Sequence, residues 1–221
     1  MERVEFLTED SVTIVADWNR VEAPAAWAVL LLHMMPADHR SWSDFASVLG
    51  RRGKHTLAID FRGHGESTRR GSDILAYEAF TDQQHQASIL DVAAAHAWLI
   101  NQEIQADHVV LMGASIGANL ALEYLSTHPR LKTAVLLSPG LNYHGVTTEN
   151  AVRKLQPDQE ILYVSSREDK EAADSVVELD RISPNTHDVI WVNGSAHGTD
   201  LLRNDPFLSD QIAGWIETQT T

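Results

Sequence analysis

No cysteine occurs in the 221 residues, which excludes a disulfide framework, a thiolate metal site and a cysteine nucleophile together. Basic residues are also scarce: 17 Lys and Arg against 31 Asp and Glu leave a formal charge of −14. Nothing concentrates positive charge more densely than RRGK (51–54) and STRR (67–70), so phosphate backbones should be repelled and no nucleic-acid partner is expected. Long apolar runs are missing too. AWAVLLL (26–32) is too short to cross a bilayer, and MERVEFLTEDSV carries acids where a secretory signal would carry bases and an apolar core. A soluble, cytoplasmic protein without a membrane partner is the expectation. The histidines and acids lack ligand spacing such as His-Glu-x-x-His, and no glycine-rich loop ends in Lys-Ser/Thr, so neither a metal nor a nucleotide cofactor is expected. There are no repeats, low-complexity segments or linkers, while 43% hydrophobic residues suffice for a sizeable core. A single domain over 1–221 follows; its oligomeric state does not.

What is present is an alternation of short apolar runs with longer amphipathic ones. RVEFLT (3–8) and SVTIVADW (11–18), divided by Glu9-Asp10, suggest an antiparallel hairpin at a sheet edge. Buried-type strands are expected at 28–33, 54–60, 108–113, 133–138, 160–166 and 187–192, with helices at 41–51, 82–102, 116–128, 171–181 and 206–218. Near-continuous apolar strands separated by crossover helices imply an α/β fold: a mostly parallel sheet of about eight strands, covered by helices on both faces. Such sheets carry their chemistry in the loops beyond the carboxyl ends of the strands.

Ser115 lies in a loop of that kind. HVVLMGASIGANLALEYL (108–125) reads as strand, tight turn and helix, the context that a Gly-x-Ser-x-Gly nucleophile elbow requires. Gly113 and Gly117 would let strand and helix backbones cross closely. Ile116 would offer a backbone N–H at a helix N-terminus, where the dipole favours developing negative charge.

With GASIG (113–117), LLLHMMP (30–36) after an early strand, DFRGHGEST (60–68) after the next and SAHGTDLL (195–202) near the end, the sequence resembles the α/β-hydrolase family over nearly its whole length. The resemblance implies a second oxyanion donor in the loop after His33. It points to the N–H of Met35, with Met34, which stands where the family commonly has glycine, as the alternative.

A serine hydroxyl needs a base to take its proton, and that base needs a carboxylate to fix its tautomer. Of eleven histidines, His55, His108 and His187 sit at strand starts, on the edge opposite Ser115, and His85 and His96 fall within a helical run. His33 and His64 are loop-ordering residues in the family pattern. His197 follows the last strand by a short loop and is the expected base. The acid should follow EILYVSS (160–166). Asp174 and Asp180 lie further along the next helix, the family places an aspartate three or four residues beyond the strand, and Asp169 is therefore expected, with Glu168 as runner-up. The order Ser115, Asp169, His197 matches the family. Asp60 and Arg62 are read as scaffold, with Arg62 tied to neighbouring backbone or acid.

Only about twenty residues join the strand ending at Ser138 to the one starting at Glu160, where many family members insert a lid. The expected site is therefore shallow, lined by Met34, Met35, Leu141 and Tyr143, and suited to a small-molecule ester with a small or medium acyl group. The resemblance implies ester hydrolysis through an acyl-enzyme. A thioesterase or acyltransferase, a peptidase-like or C–C bond hydrolase, and a non-catalytic binding protein on the same fold are the alternatives.

Overall fold

The computed structural model describes residues 1–22, 27–185, 187–205 and 207–220. Strand β1 (Glu2–Leu7) pairs antiparallel with β2 (Val12–Asn19). Their turn is closed by Thr8, whose hydroxyl accepts from Val12 N (2.8 Å). There follow β3 (Ala28–Leu32), α1 (Ser43–Arg51), β4 (His55–Ile59), two-residue strands β5 (Arg69–Arg70) and β6 (Asp73–Ile74), α2 (Asp82–Gln86), α3 (Ile89–Asn101), β7 (Val109–Ala114), α4 (Ile116–Thr127) and β8 (Thr133–Leu137). A small ribbon, β9 (Asn142–Tyr143) and β10 (Val146–Thr147), leads through α5 (Glu149–Val152) to β11 (Glu160–Ser166), α6 (Lys170–Ile182), β12 (Asp188–Val192), α7 (Asp200–Asn204) and α8 (Leu208–Gln219).

The sheet runs β12-β11-β8-β7-β3-β4-β2-β5-β6, with β1 attached to β2. Six strands from β12 to β4 pair in parallel, and β2 returns antiparallel to β4. Eight strands are five residues or longer, and this α/β architecture with its N-terminal hairpin is the one that the sequence pattern implies.

Period-two alternation divides the central strands between two cores. Ala28, Leu30 and Leu32 of β3, with Val109 and Leu111 of β7, meet Val92 and Leu99 of α3, Leu120 of α4 and Val176 of α6. Val29, Leu31, Val110 and Met112 meet Phe45 and Leu49 of α1 and Ile212 and Ile216 of α8. Each such fully buried aliphatic side chain contributes about 1.5–3 kcal/mol, which is why these strands read as continuous apolar runs rather than as alternating ones.

Several boundaries differ from the sequence expectation. The helix expected over 82–102 is two pieces, because the chain tightens at Ala87–Ser88: Ser88 N bonds His85 O (3.0 Å) in a three-residue turn instead of continuing the four-residue ladder. The helix expected over 206–218 spans Leu208–Gln219, and Pro206 lies outside the described residues. The segment between β8 and β11 forms only the β9–β10 ribbon and the short α5, with no lid domain. Because the central strands are parallel, the loops after β3, β7, β8, β11 and β12 all open on one edge of the sheet.

Candidate active site

At the end of β7 the backbone turns sharply. Ser115 has φ 53° and ψ −121°, a left-handed conformation that costs a non-glycine residue about 1–3 kcal/mol. The surroundings hold it there. Ser115 N donates to Leu137 O (2.8 Å), while Ser115 O accepts from Ala118 N (2.9 Å) and Asn119 N (3.1 Å) at the start of α4. A Cβ on Gly113 would run into the carbonyl of Gly117, and one on Gly117 into the carbonyls of Leu32 and His33. Strand and helix therefore cross where no side chain fits, and the Ser115 hydroxyl stands out above the sheet edge.

His197 arrives from the loop after β12, and its Nε2 lies 2.8 Å from Ser115 Oγ. Its Nδ1 lies 2.6 Å from Asp169 Oδ2, just before α6. An ionised carboxylate can only accept, so Nδ1 carries the proton and a neutral ring leaves Nε2 free to accept from the Ser115 hydroxyl. The His197 side chain is 37% exposed and that of Asp169 14%, so the imidazole borders solvent while the acid is sheltered. Glu168, next in the chain, is exposed and, among the described residues, tied only through its backbone, N to Gly194 O (3.0 Å).

The other sequence-derived positions lie in the segments that follow β3, β7 and β8. Ile116 opens α4, where the first N–H groups have no partner within the helix. Met34 and Met35 follow β3, half-buried, with Met34 packed so closely over Gly198 that a Cβ there would strike its sulfur. Leu141 donates its N–H to Ser175 Oγ (3.2 Å). The Tyr143 ring lies edge-on to His197, centroids 6.2 Å apart. Burial, with Glu171 and Asp169 adding, pushes the Tyr143 phenol above its ordinary range despite an opposing hydrogen bond with Ser115. It therefore stays a neutral hydroxyl beside the serine.

Two residues of this neighbourhood escaped sequence reasoning. Ser138, fully buried at the end of β8, accepts from Gly198 N (3.0 Å). Asn119 is a buried amide in the apolar run IGANLALEYL. It donates to Val146 O (2.8 Å) and accepts from Gly140 N (3.0 Å), which ties the β9–β10 ribbon and the residues before it to α4. An amide amid apolar helix positions is a signal that could have marked it.

Beside the site the loop after β4 is held by charge. Asp60, with no exposed surface, accepts from His39 N, His39 Nδ1 and Glu66 N, each at 2.7 Å. Arg62 donates to Asp91 and Asp10 at 2.8–3.0 Å. His33 donates from Nδ1 to Met34 O (2.8 Å) and accepts at Nε2 from Phe61 N (3.0 Å). His64 stacks on Tyr77, centroids 3.9 Å apart; burial, aided by His33, pushes its pKa down to about 3. Both rings stay neutral struts. Asp38, His39 and Asp60 bring three ligand-type atoms within 4.8 Å of one another, but the hydrogen bonds above already occupy the Asp60 carboxylate and the His39 Nδ1.

The Asp60–His39 pair sets a pH window for stability. Burial alone would raise the Asp60 pKa, but the His39 ring and the two N–H groups hold it below the ordinary range; the hydrogen bond to Asp60 holds His39 above its own. The aspartate's contribution is therefore present above the unfolded carboxylate pKa of about 3.9 and fades as pH falls through the depressed folded value. The histidine's is complete below about 6.5 and fades as pH rises through the elevated one. Asp60→Asn should cost about 3–5 kcal/mol near pH 5–6. Thermal melts of both proteins from pH 3 to 9 should show the gap shrinking at either end; a constant gap would contradict the assignment.

A family model described as alpha/beta hydrolase fold matches residues 28–176. The AB hydrolase superfamily protein YisY of Bacillus subtilis is 27% identical over 123 residues, which is 55% of this chain and 38% of that protein's length. Among solved structures, an esterase of Pyrococcus furiosus, Pf2001, superposes with a TM-score of 0.72 at 18% identity, covering 98% of this chain and 90% of its own. DcsB, solved in complex with its substrate analogue, gives a TM-score of 0.83 at 13% identity over 100% and 99%. At such identities the two structures speak for the fold. No helix among the described residues is long and apolar enough to cross a membrane.

Proposed function

Because this chain belongs to the alpha/beta hydrolase fold family, we propose that it is a serine hydrolase cleaving carboxylic esters of small or medium acyl groups through an acyl-enzyme. One observation carries the reading: an unbroken hydrogen-bonded line, Ser115 Oγ to His197 Nε2 at 2.8 Å and His197 Nδ1 to Asp169 at 2.6 Å, built on a left-handed serine. Backbone strain of this kind clusters at active sites.

The chemistry follows from the atoms. Ser115 Oγ attacks the ester carbonyl as His197 Nε2 takes its proton, and Asp169 stabilises the imidazolium that forms. The carbonyl oxygen, now an alkoxide, is received by the N–H groups of Ile116 and Met35, the first of them at the positive end of α4. Collapse expels the alcohol, which leaves with the proton from Nε2. Water then repeats the sequence on the acyl-serine and releases the acid.

Substrate size is read from the surroundings. Between β8 and β11 the chain forms only the ribbon and α5; Met34 packs on Gly198 and Tyr143 lies edge-on to His197, and both, like Leu141, are half-buried. Such a surface gives a short acyl chain apolar contact on one side and leaves the alcohol portion in solvent. That a Pyrococcus furiosus protein of the same fold is an esterase supports esters as the substrates. A p-nitrophenyl ester series from two to sixteen carbons, with matched thioesters, tests it. We expect kcat/KM to peak within the shorter half of the series and to fall at least tenfold by the longest chain. A maximum at the longest chains would refute the short-acyl reading, and thioester cleavage with inert esters would move the substrate class.

A further inference from the structure

Leu137 ends β8 and Ser138 follows it, between the nucleophile and the base, and each holds one of them. Leu137 O accepts the Ser115 N–H at 2.8 Å, and Ser138 Oγ accepts the N–H of Gly198, the residue next to His197, at 3.0 Å. We infer that Ser138 is a positioning residue for the proposed hydrolysis, setting the reach of His197 to Ser115 through the backbone of Gly198. The inference rests on the serine-hydrolase reading and deepens it.

Three features support the assignment. Ser138 has φ 48°, a backbone that glycine adopts without steric cost and other residues seldom take. A side chain kept there at that cost points to use of its hydroxyl. Ser138 is also fully buried, its own N–H is bonded to Val164 O at 2.8 Å, and its carbonyl faces the Tyr143 hydroxyl at 3.5 Å. The oxygen therefore has a fixed origin. Gly198 is buried as well, at φ 56° and packed against Met34, so its N–H has no solvent to turn to if the serine oxygen is removed. The base loop would then have to shift, and the 2.8 Å contact between His197 Nε2 and Ser115 Oγ would shift with it.

The test separates position from folding. Ser138→Gly removes the acceptor while favouring the left-handed backbone, which offsets part of the cost, so the protein should stay folded with its melting temperature lowered by no more than several degrees. Ser138→Ala removes the same oxygen without the backbone benefit and serves if the glycine variant folds poorly. Steady-state hydrolysis of p-nitrophenyl acetate by the full chain should show kcat reduced about tenfold to a hundredfold in both, with KM within about twofold. A kcat within twofold of wild type in the folded variants overturns the positioning role and leaves the hydrolase reading intact. A loss matching the fraction unfolded overturns it too. If the wild type itself cleaves no ester or thioester, the hydrolase reading fails first and this inference falls with it.

Discussion

Ser115→Ala is expected to yield a folded protein whose ester turnover is lower by about a thousandfold or more. The fold should survive because the serine hydroxyl is half-exposed and faces His197 and Tyr143 rather than the core. The loss should be large because His197 and Asp169 act only through the nucleophile: without Oγ, a well-oriented base has no proton to take. What remains would come from the N–H groups proposed to stabilise the oxyanion, acting on water. Circular dichroism establishes folding and initial rates measure the loss; near wild-type rates in a folded variant would remove Ser115 from the mechanism.

The second large effect separates two neighbouring acids. Asp169→Asn keeps the side-chain volume but presents an amide that can donate to Nδ1, which favours the tautomer with the proton on Nε2. That ring cannot accept from Ser115, so turnover should drop by roughly three to four orders of magnitude. Glu168→Gln should change it less than about threefold, because Glu168 is exposed and, among the described residues, bonded only through its backbone. Adjacent residues on a short loop point in different directions, and only Asp169 stands 2.6 Å from the imidazole. A crippled Glu168→Gln beside an active Asp169→Asn would move the acid by one residue.

These residues differed in how legible they were in the sequence, for physical reasons. GASIG is local: two glycines four apart, an apolar strand before and a helix after, are enough to mark a close strand–helix crossing around Ser115. Asp169 and His197 lie 28 residues apart and His197 lies 82 from Ser115, but parallel strands deliver every following loop to the same edge. Chain order and loop length then narrow the candidates to positions that the structure brings within hydrogen-bond reach. Between Glu168 and Asp169 that logic reaches its limit, because it fixes where a loop goes and not how each side chain turns.

Ser138 could not be read at all. LLSPG carries no pattern beyond a strand end, and its partner Gly198 is 60 residues away. The β9–β10 ribbon was hidden for another reason: two-residue strands offer too little alternation to register against the surrounding NYHGVT. The break at Ala87–Ser88 depends on packing, since both residues are compatible with a continuous helix.

If Ser115 is a nucleophile activated by His197, covalent trapping reaches it without knowledge of the natural substrate. The folded chain is incubated with a fluorophosphonate, its intact mass is measured, and the adduct is located by peptide mapping. One phosphonyl group per chain is expected on Ser115, absent from the Ser115→Ala variant and formed far more slowly in Asp169→Asn. A folded wild-type protein that stays unlabelled, or carries the adduct on another residue, would contradict it.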